Sequence, residues 1–470
     1  MALTDAATIA SRVRSGRLKA VDVVAEAIND AIESHDVLNA FTLIDRSGAM
    51  ARAKGIDMLV EAGKDPGPLA GVPVALKDLI DQAGLPNTRG SSFEAQVAEN
   101  SATVVRRLGA QGAVIIGRTG LHEFAFGFTS ENPWFGPVRN PWDPTTSSGG
   151  SSGGSAVAVA AGITPIAIGT DTGGSVRVPA AMCGIFGLKV THGRVPLTGV
   201  YPLIASLDTV GPMARTVDDI TVAYLAMAGP DSADGWSHYR EVVPPRNTTS
   251  TKFTIGVVEQ WANLGPSSTE TRHAIAGFLE SASRAGFTVE VVSDETLSPP
   301  KRLANASGAE ILGVHGARFS EHRGGYGADL QERLDQCADG TPEDMIEAVA
   351  WAVAAANTVD RLAGKGINLL IAPTVGGNHK AIGEDTMQIH TTDIHTSETF
   401  FHRQLLASFT APINRIGLPS LAAPIAQESG LPFSVQLIAP KWHEHTILEA
   451  AKRLESSGIF ASGVPPRAFT

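Results

Sequence analysis

The chain has 470 residues, of which 43% are hydrophobic and 18% charged, a composition typical of folded globular enzymes and unlike that of disordered or fibrous chains. Its formal net charge is −11, and it contains no block rich in Lys and Arg. We therefore expect no direct nucleic-acid partner. Its uninterrupted apolar runs are far shorter than the roughly 20 residues of a membrane helix, so we expect no membrane partner either.

The N-terminus and the cysteines indicate the cellular compartment of the protein. The first 14 residues have the pattern of a polar-capped amphipathic helix and lack the order of a signal peptide. The chain has two cysteines, Cys183 and Cys337, which is too few for a disulfide framework in a chain of this length. Both features favour a cytoplasmic protein.

The first half of the sequence alternates strand and helix patterns. An N-terminal helical layer is predicted over residues 1–65, with a helix at 18–34 and an extended segment at 41–44. Short apolar runs predict strands, and these lie at 72–76, 113–116 and 164–168. Helices are predicted around 103–108 and from about Ser155, which we expect to cap its helix. Such alternation predicts a largely parallel or mixed sheet.

The second half repeats this alternation after an aperiodic segment at 229–252, which is a candidate linker or long surface excursion. A domain boundary there is left open. Predicted strands lie at 253–258, 287–292, 367–372 and 433–438, and predicted helices at 269–285, 303–318 and 342–362. We expect this half to extend the same sheet.

Two serine-bearing glycine turns flank one short apolar stretch. The first is Ser-Ser-Gly-Gly-Ser-Ser-Gly-Gly-Ser at 147–155, and the second is Gly-Thr-Asp-Thr-Gly-Gly-Ser-Val-Arg-Val-Pro at 169–179. Glycines let a turn bring backbone N–H groups and a hydroxyl to one point, which a reacting carbonyl requires. A flexible linker is the alternative, but helix and strand patterns follow the first turn directly. The layout is typical of a serine hydrolase.

The α/β-hydrolase class is an alternative, because Gly149–Gly153 matches its Gly-x-Ser-x-Gly nucleophile elbow. That elbow would make Ser151 the attacking residue. It requires an apolar strand directly before the turn, whereas residues 140–147 are polar and contain two prolines. The context therefore disfavours the elbow.

Lys77 ends the apolar run Gly-Val-Pro-Val-Ala-Leu-Lys-Asp at 71–78. Most lysines are solvated, and a buried lysine is costly unless it is paired or neutral. Burial lowers the pKa of a lysine, which can then act as a general base. Taken alone, Lys77 is more often structural than catalytic.

Taken together, these three elements resemble the amidase signature family. They stand in the family's order and about at its spacing, and the resemblance continues to Thr216 through Cys-Gly-Ile-Phe-Gly-Leu-Lys-Val-Thr-His-Gly-Arg-Val-Pro at 183–196. It returns weakly at 417–421 and 432–438. It implies an α/β fold in one domain spanning 1–470, with a large mixed twisted sheet flanked by helices on both faces. The signature core is 69–216, and the less recognisable 230–400 belongs to the same domain.

Residue by residue, the resemblance implies that Ser175 is the nucleophile, Lys77 the base and Ser151 the bridging serine, with a cis peptide bond before it. The backbone N–H groups of Thr172, Gly173, Gly174 and Ser175 form the implied oxyanion hole. We expect Asp171 and Arg177 to hold the shape of this turn. The implied reaction is hydrolysis of a small amide through an acyl-enzyme, without a cofactor.

Aromatic residues cluster just before the first serine turn, at Phe124, Phe126, Phe128, Trp134 and Phe135. Core packing is the simpler interpretation, but in the resembling family this region borders the acyl pocket. On that basis Ala125 and Phe126 help to set substrate size.

Histidines suggest a metal site only superficially. His122 precedes Glu123, and pairs occur at 390/395 and 443/445. None of these has His-Glu-x-x-His spacing or a nearby third ligand, so we predict no metal.

The family resemblance leaves three functions open. We favour a self-sufficient amide hydrolase, as a homodimer or with a small accessory subunit. The alternatives are the glutaminase subunit of a tRNA-dependent amidotransferase and a non-catalytic scaffold that keeps the fold. The scaffold is disfavoured because Lys77, Ser151 and Ser175 are all of the required residue types.

Overall fold

An eleven-stranded sheet runs through the molecule and includes strands from both halves of the chain. The computed structural model describes residues 4–246, 251–391, 396–427 and 430–466. In chain order, the strands of the large sheet are β1 (Phe41–Ile44), β2 (Pro73–Lys77), β3 (Val114–Thr119), β4 (Ile166–Asp171), β5 (Phe186–Lys189), β6 (Thr209–Ala214), β7 (Thr254–Val258), β8 (Thr288–Val292), β9 (Leu369–Pro373), β10 (Ser420–Ile425) and β11 (Phe433–Ile438).

The spatial order is β1-β3-β2-β4-β6-β5-β10-β11-β9-β7-β8. Strands β3, β2 and β4 are parallel to one another, as are β9, β7 and β8. All other neighbours are antiparallel. The sheet is therefore mixed, as predicted, and the aperiodic segment at 229–252 does not separate two sheets.

Helices flank the sheet. They are α1 (Ala6–Arg14), α2 (Ala20–Glu33), α3 (His35–Leu38), α4 (Arg46–Glu61), α5 (Thr103–Ala110), α6 (Gly153–Ala160), α7 (Arg177–Cys183), α8 (Val217–Met227), α9 (Glu259–Ala262), α10 (Thr269–Arg284), α11 (Gly308–Glu321), α12 (Ala328–Gln336), α13 (Pro342–Gly364), α14 (His402–Leu406), α15 (Ala411–Ile416) and α16 (Glu444–Ser456). Within the described ranges, no helix is long and apolar enough to cross a membrane.

Shorter elements connect these layers. Two-stranded pairs join Pro86–Asn87 to Gln96–Val97, Glu131–Asn132 to Gly136–Pro137, Arg139–Asn140 to Asp143–Ser147, and Thr386–His390 to Ser397–Phe401. Single 3-10 turns lie at Glu123–Ala125, Glu295–Leu297, Leu303–Ser307, Arg323–Gly325 and Cys337–Asp339.

The central strands form because their sequences are apolar on both faces. Every residue of β2, β4, β5, β6 and β9 is buried, as expected of strands covered by helices on both sides. The predicted strand at 164–168 begins two residues later, at Ile166, because Pro165 has no N–H to donate to the ladder.

Two local predictions are wrong. The continuous helix predicted at 303–318 is a 3-10 turn, Leu303–Ser307, followed by α11. Close packing accompanies this break, since a Cβ on Gly308 would lie 2.2 Å from the Cys337 carbonyl oxygen. Ser155 lies inside α6 and does not cap it, because its hydroxyl donates to the Ile168 carbonyl oxygen at 3.0 Å.

The parallel pairing of β2 with β4 positions the site. In this ladder Leu76 is opposite Ile168, so the carboxyl ends of the two strands reach the same edge of the sheet. Lys77 is the last residue of β2, and Asp171 is the last residue of β4. The second glycine turn therefore begins beside the lysine.

Candidate active site

Lys77 contacts two hydroxyl groups in the interior of the protein. Its Nζ donates to Ser151 Oγ at 2.7 Å and to Thr170 Oγ1 at 2.9 Å. Lys77 and Ser151 have no exposed surface, and Thr170 is 3% exposed. The lysine thus bridges the end of β2, the end of β4 and the first glycine turn.

Burial dominates the charge state of this lysine. Loss of solvation lowers the pKa of Lys77 from 10.5 to about 7, against the opposing attraction of Asp171 and Asp208. A substantial fraction of the Lys77 amines is therefore neutral around pH 7. A neutral amine can accept a proton from the hydroxyl beside it.

The first glycine turn holds Ser151 through its backbone. The Gly150–Ser151 peptide bond is cis, as the family resemblance implies. The Ser151 carbonyl oxygen accepts from the His122 N–H at 3.2 Å and from Ser130 Oγ at 3.3 Å. The Ser130 hydroxyl in turn accepts from the Gly153 N–H at 3.1 Å. The chain before the turn therefore fixes the backbone of Ser151.

The second glycine turn carries Ser175, which is 3% exposed. Its carbonyl oxygen accepts from the Ser152 N–H at 3.2 Å, which ties the two turns together. Among the described residues, no hydrogen bond occupies the Ser175 hydroxyl or the N–H groups of Thr172, Gly173 and Ser175. These groups can therefore contact a ligand.

Gly174 differs from the other three residues of this turn. Its N–H donates to Asp171 Oδ1 at 2.8 Å, and so it is committed to the turn itself. This corrects the expectation that all four N–H groups are available as oxyanion donors. The φ of Gly174 is +138°, and a Cβ there would lie 2.3 Å from Thr410 Oγ1. Only glycine fits this position without strain.

A buried ion pair lies behind the turn, between the two residues that we expected to hold its shape. Arg177 Nε and Nη2 donate to the two carboxylate oxygens of Asp171, each at 3.0 Å, and both side chains are fully buried. Burial raises the pKa of Asp171, but the charge and hydrogen bonds of Arg177, the Lys189 charge and the Asn414 hydrogen bond together outweigh burial and hold that pKa at about 2. Asp171 is therefore ionised throughout the neutral range.

The C-terminal half completes this ion pair. Asn414 on α15 donates to Asp171 Oδ1 at 2.8 Å and accepts from Arg177 Nη2. Gln436 on β11 accepts from Arg177 Nη1 at 2.8 Å. Residues more than 230 positions away in sequence thus hold the turn that carries Ser175.

The loop after Lys77 is held by a second buried ion pair. Arg118 on β3 donates from Nε to Asp78 Oδ1 at 2.6 Å and from Nη2 to the Ile80 carbonyl oxygen at 2.6 Å. Thr42 also donates to Asp78, at 2.9 Å. These contacts fix the backbone immediately after the lysine.

A cavity of about 570 Å³ opens onto Ser175. Thr172 and Gly173 also line it, whereas Lys77 and Ser151 are buried and do not contribute to its wall. The apolar part of the wall includes Ala125, Phe126, Phe128, Leu203, Ile204, Leu207, Leu264 and Leu303. A mostly apolar cavity with a few polar groups at one end is typical of a small-molecule site.

The structure divides the aromatic stretch. Phe126 and Phe128 line the cavity together with Ala125. Phe124 packs in a buried cluster, while Trp134 and Phe135 are 41% and 37% exposed. Neither core packing nor pocket lining alone describes this segment.

His122 and Glu123 have structural partners. His122 Nε2 lies 2.8 Å from Asp329 Oδ2, and Glu123 accepts from Ser91, Trp134 and the Gly327 N–H. Both residues thereby join the signature core to α12 and the turn before it. In the described ranges no group of three or more His, Cys, Asp or Glu could hold a metal. His395 lies outside those ranges.

Sequence reasoning missed Thr170, Ser130, Asn414 and Gln436. A signal existed for Thr170, because it is a polar residue in a buried strand two positions before the glycine turn. No such signal marks Asn414 or Gln436, since their partners are defined only once the chain has folded.

This geometry can perform acyl chemistry. A partly neutral amine contacts one hydroxyl, a second hydroxyl faces a cavity, and three backbone N–H groups are available beside it. Those are the parts required to activate a serine and to stabilise an oxyanion.

Comparison with known proteins gives a consistent result. The family model described as Amidase matches residues 22–448. The chain is 34% identical to the AtzE subunit of 1-carboxybiuret hydrolase from Pseudomonas sp. (strain ADP), over 95% of this chain and 97% of that protein. It is 33% identical to a glutamyl-tRNA(Gln) amidotransferase subunit from Rhodopirellula baltica, over 99% of this chain and 98% of that protein.

Solved structures share the fold. One chain, from a vestigial protein complex that reveals the evolutionary origins of an s-triazine catabolic enzyme, superposes with a TM-score of 0.89 at 31% identity. The match covers 98% of this chain and 100% of that chain. The family model and the whole-length relatives agree, and the chain belongs to the amidase signature family, whose members are hydrolases acting on amides.

Proposed function

We propose that this protein is a self-sufficient amidohydrolase that cleaves the C–N bond of a small carboxylic or ureido amide through an acyl-enzyme on Ser175. The observation that carries the proposal is the 2.7 Å contact between Lys77 Nζ and Ser151 Oγ, made by a buried lysine whose pKa is lowered to about 7. A charged lysine in that position could not accept a proton.

The first half of the reaction forms the acyl-enzyme. Ser175 Oγ attacks the amide carbon as its proton passes to Ser151 Oγ, whose own proton passes to the neutral Lys77 amine. The carbonyl oxygen becomes an oxyanion, which the N–H groups of Thr172, Gly173 and Ser175 stabilise. Each such donor typically contributes about 3 kcal/mol.

Collapse of this intermediate requires a proton on the leaving nitrogen, because an amide anion is too basic to depart. Lys77 returns its proton through Ser151, the C–N bond breaks, and ammonia or an amine leaves. Water then attacks the Ser175 ester by the same proton path. The carboxylic acid is released, and Ser175 and Lys77 regain their starting states.

A second function is favoured by the similarity to the amidotransferase relative. In this alternative, the chain is the glutaminase component of a larger assembly and acts on glutamine. The chemistry at Ser175 is the same, but the partner and substrate differ.

The test measures ammonia or amine release by the purified chain from aliphatic, aromatic and ureido amides and from glutamine. We expect turnover of a simple amide by wild type and none by Ser175→Ala, with an unchanged circular dichroism spectrum. Turnover of glutamine alone, or only after partner subunits are added, would favour the amidotransferase. Retained turnover in Ser175→Ala with loss in Ser151→Ala would contradict the proposed nucleophile.

A further inference from the structure

The charged side chains that line the cavity next to Ser175 are all positive. Four cationic side chains line it, namely Lys301, Arg333, Arg403 and Arg415. None of the described residues in its wall is acidic, although the whole chain has a net charge of −11. The positive charge therefore belongs to this cavity and does not reflect the overall composition.

Arg333 on α12 is held beside the proposed acyl pocket. It is 8% exposed, and its guanidinium carbon lies 5.8 Å from the centre of the Phe126 ring. Its Nε is 3.7 Å from Asp329 Oδ2. That carboxylate also contacts His122 Nε2 at 2.8 Å, so Arg333 is not its sole partner.

A second guanidinium lies near the first. Arg403 on α14 donates from Nη1 to the neutral Gln336 at 3.3 Å, and in the described residues no carboxylate lies within ion-pair distance of it. Burial lowers the pKa of Arg333 to about 10 against the opposing attraction of Asp329, and the Arg403 charge adds a smaller lowering contribution. Arginine side chains are cationic in proteins, and two of them close together favour an anion between or beside them.

Arg415 on α15 has unused hydrogen-bonding capacity. One of its terminal nitrogens donates to the Ser307 hydroxyl. Its Nε is buried and has no hydrogen-bond partner among the described residues. Buried donors without partners are uncommon in folded proteins, and other atoms of the same side chain line the cavity.

We propose that the cavity selects amides whose acyl chain ends in a carboxylate. An apolar stretch formed by Leu203, Ile204 and Leu207 lines the same cavity as Ser175 and the arginines. A short aliphatic linker between the scissile amide and the terminal carboxylate matches this combination of a nucleophile, an apolar surface and cationic side chains. Arginine binds carboxylates through charge-assisted, often paired, hydrogen bonds. The reaction assigned to these substrates rests on the proposed amide hydrolysis.

The kinetic test compares succinamate, glutaramate and adipamate with the unsubstituted amide of the same chain length. We expect wild type to favour the carboxylate in at least one pair by about tenfold or more in kcat/KM. Arg333→Gln and Arg403→Gln should each lower that preference by about tenfold. We expect Arg403→Gln to fold even if Arg333→Gln does not, because the half-buried Arg403 side chain has a single described hydrogen bond to another side chain.

The matched control is Arg361→Gln. Arg361 is 58% exposed on its side chain, pairs with Asp294 and lies outside the cavity wall. Its substitution should leave the preference unchanged. Equal rates on both members of every pair, unaffected by Arg333→Gln and Arg403→Gln, would overturn the inference while leaving the proposed amidohydrolase intact.

A binding measurement separates the two proposals. Calorimetry of glutarate with the Ser175→Ala protein should detect binding that Arg333→Gln, added to that protein, weakens by about tenfold. Such binding without turnover of any amide by wild type would support the anion site and contradict the proposed hydrolysis. Absence of both binding and turnover would overturn both proposals.

Discussion

Lys77 Nζ lies 2.7 Å from Ser151 Oγ, and neither residue has any exposed surface. An ammonium in such a place would lack the solvation that water gives it, and burial accordingly lowers the pKa of Lys77 to about 7. The same burial that makes this lysine costly to the fold makes it useful as a base at neutral pH.

The first prediction concerns the pH dependence of the reaction. Because the proposed base is neutral Lys77, kcat/KM should fall about tenfold for each pH unit below about 7 and should level off above it. Initial rates on the best amide from pH 5 to 9 measure this profile. Lys77→Met should reduce the rate to near that of Ser175→Ala at every pH.

Lys189 provides the control for this profile. Its pKa is also lowered to about 7 by burial, but its Nζ donates to the Val190 carbonyl oxygen and not to a serine hydroxyl. Lys189→Met should keep the inflection near pH 7. Loss of the inflection in Lys189→Met, or its persistence in Lys77→Met, would contradict the assignment of the base.

The second prediction concerns stability. The folded pKa of Lys77 lies below its ordinary value of 10.5, so between pH 7 and 10.5 the unfolded chain binds more protons there than the folded chain does. The contribution of Lys77 to the free energy of unfolding therefore rises with pH across this window. We therefore compare the free energy of unfolding of Lys77→Met with that of wild type. The variant's excess should be about 2 kcal/mol larger at pH 7 than at pH 9.

Urea unfolding of both proteins at the two pH values gives this difference. Lys452, whose side chain is 40% exposed and pairs with Asp218, serves as the control, and Lys452→Met should show a much smaller pH effect. If Lys77→Met differs from wild type in free energy of unfolding by the same amount at pH 7 and pH 9, the lysine is not desolvated.

The third prediction compares two neighbouring glycines. An added Cβ at Gly174 would lie 2.3 Å from Thr410 Oγ1, at a φ of +138°, whereas at Gly173 the nearest atom would be 3.5 Å away. Gly174→Ala should lower the free energy of unfolding by about 3 kcal/mol and abolish most activity, because the turn must move. Gly173→Ala should cost less than about 1 kcal/mol. Equal losses of stability in the two variants would contradict this turn geometry.

The fourth prediction concerns the ion pair behind Ser175. Arg177→Leu leaves the Asp171 carboxylate buried without its cation, which typically costs about 3–5 kcal/mol. Arg284→Leu removes an exposed pair with Glu280 on α10, and such a pair contributes less than about 1 kcal/mol. Thermal and urea unfolding of the two variants measure the contrast, and comparable stabilities would be inconsistent with a buried Arg177–Asp171 pair.

Much of the fold was predictable because the central strands are apolar on both faces. The extended segment at 41–44 and the strand at 433–438 match the observed strands, and the second half joins the same sheet as predicted. The N-terminal half of the site was also predictable, because Lys77 and both serine turns lie in recognisable local patterns.

The remaining parts of the site depend on contacts between distant segments. Asn414 and Gln436 are ordinary polar residues in the sequence, and their role follows only from their approach to Arg177. The commitment of the Gly174 N–H to Asp171 likewise depends on how the turn folds over that carboxylate. The cavity arginines, Arg333, Arg403 and Arg415, lie on α12, α14 and α15. No local sequence pattern connects these three helices.

The most direct test of the central claim is to locate the nucleophile by covalent labelling. A fluorophosphonate reacts with an activated serine, and the adduct is placed by tandem mass spectrometry within the tryptic peptide 140–177, which contains both Ser151 and Ser175. Assignment of Ser175 as the nucleophile and Lys77 as the base predicts one adduct, on Ser175, and its loss in Lys77→Met. An adduct on Ser151, or undiminished labelling of Ser175 in Lys77→Met, would contradict it.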